Sequence, residues 1–284
     1  MISVVIVQYN HAALTRQAVE SLRKHGGDCE IIVVDNASTE PGAQDAVRRL
    51  EGCRLVVQKA NAGYGGGNNA GARAATGDLI FFLNNDTIVH SEILSGIESY
   101  FQAHPSCGAA GPRLLNADGT LQRSTGKFPT VFSEWRTKRG GARGPEPRTP
   151  LRDWVSGAAL IVRRSVFERT GGFDERFFMY FEDVDLCRRI RREGYEIHYL
   201  PSVSLEHLGG GSQPGGLSPA IQEEYRRSQI LYYRAHASWG DNLLLRVYLF
   251  CRFLPRRLAG TQAGREVAAS VLSMLFRLPD ERRH

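Results

Sequence analysis

The chain has 284 residues, 42% of them apolar and 23% charged, with a formal net charge of +6. That is ordinary globular usage, enough to bury a sizeable core, and no window reaches the ~18 apolar residues of a membrane span. The five cysteines (Cys29, Cys53, Cys107, Cys187, Cys251) are scattered, odd in number and without CxxC spacing, which argues against a zinc site or disulfide framework and fits a reducing cytosol.

The first hundred residues alternate strand and helix. Ser3–Val7 is a continuous apolar run, as in a strand covered on both faces, and is too short for a signal-peptide core. Helical spacing follows over Ala12–His25, then a strand over Glu30–Asp35, a helix over Gln44–Leu50 and a strand over Arg54–Gln58. Asn68–Ala75 reads as a helix of small residues opened by a glycine loop, Leu79–Leu83 as a strand and Glu92–His104 as a helix. This alternation predicts a parallel sheet with right-handed crossovers. Asn116-Ala117-Asp118-Gly119 is a hairpin signal between Gly108–Leu115 and Leu121–Ser124. Residues 126–150, rich in Gly, Pro and Arg, read as a mobile loop.

Trp154–Val162 reads as one strand. Ser165-Val166-Phe167-Glu168 reads as a capping box for a short helix ending at Gly171-Gly172. A helix over Glu182–Glu193 precedes strands at Tyr195–Leu200 and Val203–Glu206. From Ser218 the chain is helical. The expected division is a domain over 1–217 and a helical extension over 218–284.

Four strand ends concentrate polar groups. Phe81-Phe82-Leu83-Asn84-Asn85-Asp86 is an apolar run ending in two amides and a carboxylate. Open α/β sheets bind ligands outside the carboxyl ends of their strands, and Mg²⁺ uses one or two carboxylates plus substrate phosphates. The motif therefore suggests a metal shared with a nucleotide diphosphate; the plainer reading is an Asn/Asp turn. Asp35 ends the second strand, where it can accept from a pyrimidine ring N–H or a ribose hydroxyl, or cap a turn. Asn61-Ala62-Gly63-Tyr64-Gly65-Gly66-Gly67-Asn68-Asn69-Ala70-Gly71 follows a strand and opens a helix, where glycine lets backbone approach a ligand and the helix start favours anions. Its Gly65-x-Gly67-x-x-Ala70 is a loose dinucleotide fingerprint, which leaves an NAD(P)-dependent oxidoreductase as a rival reading.

Glu182, Asp183 and Asp185 fall in the first turn of a helix after an aromatic run. Either they complement the helix dipole, or one is a general base kept ionised there, with the aromatics lining an acceptor pocket. His207, at a strand end before a glycine loop, is a metal ligand or a plain polar residue. Arginine, which supplies all but four (Lys24, Lys59, Lys127, Lys138) of the 36 basic residues, suits phosphate groups. No nucleic-acid-binding motif is present, and no such partner is expected.

In order along the chain, VVIVQYN, VVDNAS, NAGYGGGNNAG, FLNND, GAALIVRR, GGFDERFFMYFEDVDLCRR and EHLGGGS resemble glycosyltransferase family 2, from Ile2 to about Ser212. The likeness is strongest to rhamnosyltransferase-type members that build cell-surface polysaccharides. The resemblance implies an α/β fold of the GT-A type, with a mixed, mostly parallel sheet flanked by helices and here a helical C-terminal extension. It implies an inverting enzyme, a nucleotide-diphosphate sugar donor (dTDP- or UDP-linked), and Mg²⁺ or Mn²⁺. Donor contacts are then expected at Gln8, Asn10, Asp35, Asn61, Gly63, Gly67, Asn68, Asn84, Asn85 and Asp86, with Asp35 on the base. The metal falls to Asp86 and His207; Asn84 stands where many relatives carry a further Asp. Asp183 becomes the catalytic base, with Glu182 as the alternative, and Trp154, Gly157 and Phe181 meet the acceptor, a glycan or polyprenyl-linked sugar. A protein that keeps the fold as a non-catalytic nucleotide-sugar binder is the other rival. In the C-terminal helices Leu243, Leu244, Val247, Leu249, Phe250, Phe253 and Leu254 are expected to form a broad apolar surface, with Arg246, Arg252, Arg256, Arg257 and Arg265 among or after them. This suits peripheral contact with the inner face of the plasma membrane, or packing on the catalytic domain or against a second subunit in a homodimer.

Overall fold

The computed structural model describes residues 1–133, 150–209 and 218–276. They fall into two units: one of residues 1–128, 150–175 and 183–209, the other of residues 129–133, 176–182 and 218–276. Most of the expected loop over 126–150 and the glycines after Gly209 lie outside the described residues.

The first unit is built on β1 (Ile2–Gln8), β2 (Glu30–Asp35), β3 (Arg54–Val57), β4 (Leu79–Asn84), β5 (Thr87–Ile88), β6 (Cys107–Leu115), β7 (Leu121–Gln122), β8 (Thr125–Gly126), β9 (Leu151–Arg152), β10 (Trp154–Val155), β11 (Ala159–Arg163) and β12 (Glu196–His207). Ten of these form one sheet in the order β3-β2-β1-β4-β11-β6-β12-β5, with β7 on β6 and β9 on β12; β8 and β10 pair separately. The β3-β2-β1-β4 half is parallel, and β11 enters antiparallel between β4 and β6. The sheet is therefore mixed.

Its helices are α1 (Ala12–Ser21), α2 (Ala43–Arg48), α3 (Gly63–Ala74), α4 (Leu94–Ala103), α5 (Arg164–Arg169) and α6 (Glu182–Arg192), the last entered from Glu182 of the other unit. Strand side chains alternate between faces. Val4, Ile6, Val33, Phe81 and Leu83 join Ala18 and Leu22, from α1 and the π-helical turn after it, and Ile97 and Phe101 of α4. Val5, Ile32, Val34, Ile80 and Phe82 face Ala70 of α3, Phe167 of α5 and Ile190 of α6. Two covered faces explain why β1, β2 and β4 read as unbroken apolar runs.

Four expectations change. Helix α3 begins at Gly63, so the glycines lie inside the helix and not in a loop ahead of it. Each glycine costs a helix roughly 1 kcal/mol against alanine, but here the helix needs the space. A Cβ on Gly67 would sit 2.7 Å from Val7 Cγ1, and one on Gly71 would overlap Val5 Cγ1. The expected strand Trp154–Val162 breaks at residues 156–158 into β10 and β11. The two expected strands after Tyr195 are one strand, β12, with a register shift between Leu200 and Ser204 that carries it past Pro201. Ser165 lies inside α5, whose N-cap is Arg163 with no side-chain cap, so the capping box is not formed. The hairpin at Asn116–Gly119 forms as expected, with Gly119 at φ 76°.

The second unit holds α7 (Pro219–His236), α8 (Trp239–Ala259) and α9 (Gln262–Phe276). Ser218 and Ser238 cap the first two, and Pro219 takes the first helical position, where no N–H is needed. Leu245, Leu249 and Phe253 of α8 and Val267, Val271 and Leu275 of α9 are buried. Leu243, Leu244, Val247 and Phe250 stay exposed. Among the described residues no helix is long and apolar enough to cross a membrane.

All five cysteines are free. Cys107 and Cys187 are buried, which pushes both thiols up to about 12, and burial raises Cys29 to about 11 and Cys53 above its usual value. Cys251 on α8 is exposed.

Candidate active site

Register sets the site. Gln8 pairs with Asp35 across β1 and β2, Val7 pairs with Asn84 across β1 and β4, and Ala159 pairs with Leu83 across β11 and β4. The carboxyl ends of three parallel strands and the start of β11 thus share one rim, the place where open α/β sheets take ligands.

Asp35 is fully buried and accepts from Gln8 Nε2 at 3.2 Å and Gln44 Nε2 at 3.3 Å. Asn10, at φ 59°, turns its Oδ1 to the N–H groups of Thr39 and Glu40 and so holds the loop after β2. Asn36 gives its Nδ2 to Asn61 Oδ1 and Gly63 O, both at 3.0 Å, and accepts from Ala62 N. Asn61 also caps the turn by accepting from Gly63 N. Asn61 and Gly63 therefore shape the entry to α3, with Asn36 as an organiser that sequence reasoning did not single out. Buried Gln8 Oε1 and Asn68 Oδ1 have no hydrogen-bond partner among the described residues.

The Gly65-x-Gly67-x-x-Ala70 fingerprint lies within α3, its Gly67 pressed on β1. That placement serves helix–sheet packing and removes the ground for a dinucleotide loop.

After β4, Asn85 Nδ2 donates to Thr15 Oγ1 at 3.2 Å. Asp86 Oδ1 lies 3.2 Å from His207 Nε2, and Asn84 Nδ2 lies 3.3 Å from the same nitrogen. His207 arrives from the far end of β12, where it pairs with Thr87, and Leu208 N donates to Asp86 O. Its Nδ1 meets Gln122 Oε1 at 2.6 Å. Two ligands on adjacent positions of an octahedral ion at roughly 2.1 Å stand about 3.0 Å apart, so Asp86 Oδ1 and His207 Nε2 fit one divalent cation. Among the described residues no three His, Cys, Asp or Glu side chains gather. The rest of a coordination shell would come from substrate oxygens and water.

Asp183 is half-buried on α6. Its Oδ2 accepts Gly157 N–H and its Oδ1 accepts Val184 N–H, both at 2.8 Å. Burial raises its carboxyl above the ordinary range, and those two amides pull the other way. Gly157 O accepts the Tyr64 hydroxyl, and Ala158 O accepts Asn84 N at 2.9 Å. The break between β10 and β11 is therefore the turn that ties the carboxylate of α6 to the end of β4. Asp185 is spent on Arg189, 2.7 Å away. Trp154 gives its indole N–H to Lys127 O and holds the β8–β10 pair.

Within the second unit Glu182 is buried. Phe181, expected at an acceptor, is 7% exposed and packs between Tyr225 and Tyr232 of α7. Tyr180 and Phe181 both take positive φ, a conformation that surrounding structure must hold in place.

The sequence profile of the family described as Glycosyl transferase family 2 matches residues 3–171. The chain belongs to that family. It is a glycosyltransferase, and its similarity runs to rhamnosyltransferases. It is 28% identical over 261 residues to N-acetylglucosaminyl-diphospho-decaprenol L-rhamnosyltransferase of Mycobacterium tuberculosis, covering 80% of this chain and 85% of that one. To rhamnosyltransferase WbbL of Escherichia coli it is 28% identical over 73% of this chain and 83% of the other. The mannosyltransferase PcManGT from Pyrobaculum calidifontis, solved with GDP-Man and Mn²⁺, superposes with a TM-score of 0.60 at 19% identity, over 96% of this chain and 74% of that one. The fold of the transferase is thus GT-A. The family match ends before Asp183 and His207, so their place at the rim rests on geometry.

Proposed function

We propose that the transferase moves rhamnose, with inversion, from a dTDP- or UDP-linked donor to a hydroxyl of a polyprenyl-linked or glycan acceptor in cell-surface polysaccharide synthesis. The two relatives are named for rhamnosyl transfer, one of them to a decaprenol-linked sugar. The observation that carries the reading is the turn at residues 156–158. It binds Asp183 through Gly157 N–H and the Asn84–Asp86 motif through Ala158 O, so one turn anchors both the candidate base and the candidate cation corner.

Asp183 takes the proton of the acceptor hydroxyl as the oxygen attacks the anomeric carbon. Burial makes it a stronger base, and the two amide N–H groups hold the carboxylate in place. Asp35, with Gln8, receives the base of the nucleotide. Asp86 and His207 would hold Mg²⁺ or Mn²⁺, and an imidazole in the set would suit Mn²⁺ better than oxygen-seeking Mg²⁺. Held there, such an ion would supply charge neutralisation for the departing diphosphate. A single displacement inverts the anomeric centre. The reaction takes place at the cytoplasmic face of the membrane, with the exposed side of α8 against the lipid.

The test is a transfer and hydrolysis assay across dTDP-, UDP- and GDP-sugars with Mn²⁺, Mg²⁺ or EDTA. Turnover of dTDP-rhamnose that EDTA stops supports the reading. No turnover of any donor, together with no thermal stabilisation by dTDP or UDP in Mn²⁺, overturns it.

A further inference from the structure

The hairpin at Asn116–Gly119 does more than turn the chain. A line of hydrogen bonds runs from it to His207, and its direction follows from one residue. Asp118, as a carboxylate, only accepts. Thr120 Oγ1 lies 2.5 Å from Asp118 Oδ1, so it must donate its single proton there. Its oxygen is then left to accept, and Asn116 Nδ2 donates to it at 2.8 Å. That turns Asn116 Oδ1 the other way, toward Gln122 Nε2 at 3.0 Å. Gln122 is thereby oriented with Oε1 facing His207 Nδ1 at 2.6 Å. An acceptor at that distance requires the proton on Nδ1. In the neutral imidazole Nε2 then keeps its lone pair, facing the corner where Asp86 Oδ1 lies 3.2 Å away and Asn84 Nδ2 can donate at 3.3 Å.

We infer that Asp118, Thr120, Asn116 and Gln122 form a tautomer lock that keeps His207 Nε2 unprotonated and ready for a cation, with Gln122 as the positioning residue. The inference rests on the metal reading above. Without the lock, the proton gains by moving to Nε2, where Asp86 accepts it, and the nitrogen then cannot ligate. Partners behind a ligating histidine typically contribute 10–100-fold in metal affinity.

The experiment compares the full-length wild type with Gln122→Met, which keeps length but removes the acceptor, and Gln122→Glu, which keeps an acceptor. Nitrogen-15 NMR of labelled histidine, with His207→Asn to assign the signal, reads the tautomer in metal-free protein. Mn²⁺ titration in the presence of dTDP, followed by electron paramagnetic resonance, reads affinity. Wild type and Gln122→Glu are expected as the Nδ1–H tautomer. Gln122→Met is expected to shift toward Nε2–H and to lose about 10–100-fold in Mn²⁺ affinity, with its melting temperature and metal-free dTDP binding unchanged. An Nε2–H wild type, or a Gln122→Met protein that keeps both tautomer and Mn²⁺ affinity, overturns the lock. A wild type that shows Nδ1–H but binds no Mn²⁺ with dTDP supports the relay and overturns the metal reading instead.

Discussion

Gly157 donates its backbone N–H to Asp183 Oδ2 at 2.8 Å, joining two segments 26 residues apart. The donor is backbone and the acceptor is the Asp183 side chain, so an asparagine, which keeps one acceptor oxygen, tests the charge of the carboxylate with the least disturbance of the turn. Gly157 itself has little room, since a Cβ there would lie 3.1 Å from the Tyr64 ring.

Asp183→Asn is expected to lower kcat by about 10²–10⁴-fold with donor affinity little changed. In the wild type, burial raises this carboxyl, so the protonated form is favoured in the folded state. The sign follows: activity is lost as pH falls through a midpoint above the usual ~3.9 of aspartate. Ionisation of the same group costs folding stability as pH rises through that midpoint. The check is a kcat–pH profile beside the melting temperature over the same range. If Glu182→Gln is the inactive protein and Asp183→Asn the active one, the base is the neighbouring residue.

Asp86→Ala is expected to abolish the Mn²⁺-dependent part of dTDP binding while the melting temperature moves little, because the side chain sits on the rim. Calorimetry with dTDP, with and without Mn²⁺, measures this. Equal affinities in mutant and wild type would take Asp86 out of the site.

Two glycine-to-alanine changes should act in opposite directions. On α3, Gly71→Ala pushes a methyl into Val5 and Val34, and overpacking of this kind costs about 1–3 kcal/mol. On α4, Gly96→Ala meets nothing within 4 Å and should stabilise by about 0.4–1 kcal/mol through helix propensity and a less flexible unfolded chain. Denaturant midpoints decide it; a stabilised Gly71→Ala would contradict the packing account.

The exposed apolar side of α8 should carry the chain to anionic vesicles at low salt. Leu243→Glu combined with Val247→Glu is expected to prevent co-flotation with phosphatidylglycerol liposomes while nucleotide binding persists. Both residues are exposed, so the fold should tolerate the change. A wild type that ignores such vesicles and sediments as a dimer would assign this side to a second copy.

The sheet was legible in the sequence because β1, β2 and β4 are covered on both faces, which leaves apolar runs that end where the sheet ends. Glu30–Asp35 emerges with its expected bounds for that reason. The start of α3 was not legible, since local propensity argues against a helix of glycines and only the nearness of Val5 and Val7 reverses that. Nor was the break at residues 156–158, whose small residues suit a strand as well as a turn. In the site, Asp35, Asp86, Asp183 and His207 stood out as polar residues closing apolar or aromatic runs. Their supports did not: Gln122 lies 85 positions from His207, and nothing local in a two-residue strand announces a partner so distant. Asn36 was hidden in the same way, because its neighbours come from the next crossover.

The distribution of thiols has a practical consequence. Four of the five cysteines are shielded or poorly ionised by their surroundings, whereas Cys251 is exposed on α8. Because the thiolate is the reacting species, a maleimide dye at neutral pH should attach at this one natural position without any engineering. A polarity-sensitive fluorophore there would sit one residue after Phe250. It would report, in real time and on the unmodified sequence, whether that part of the helix leaves water when vesicles are added.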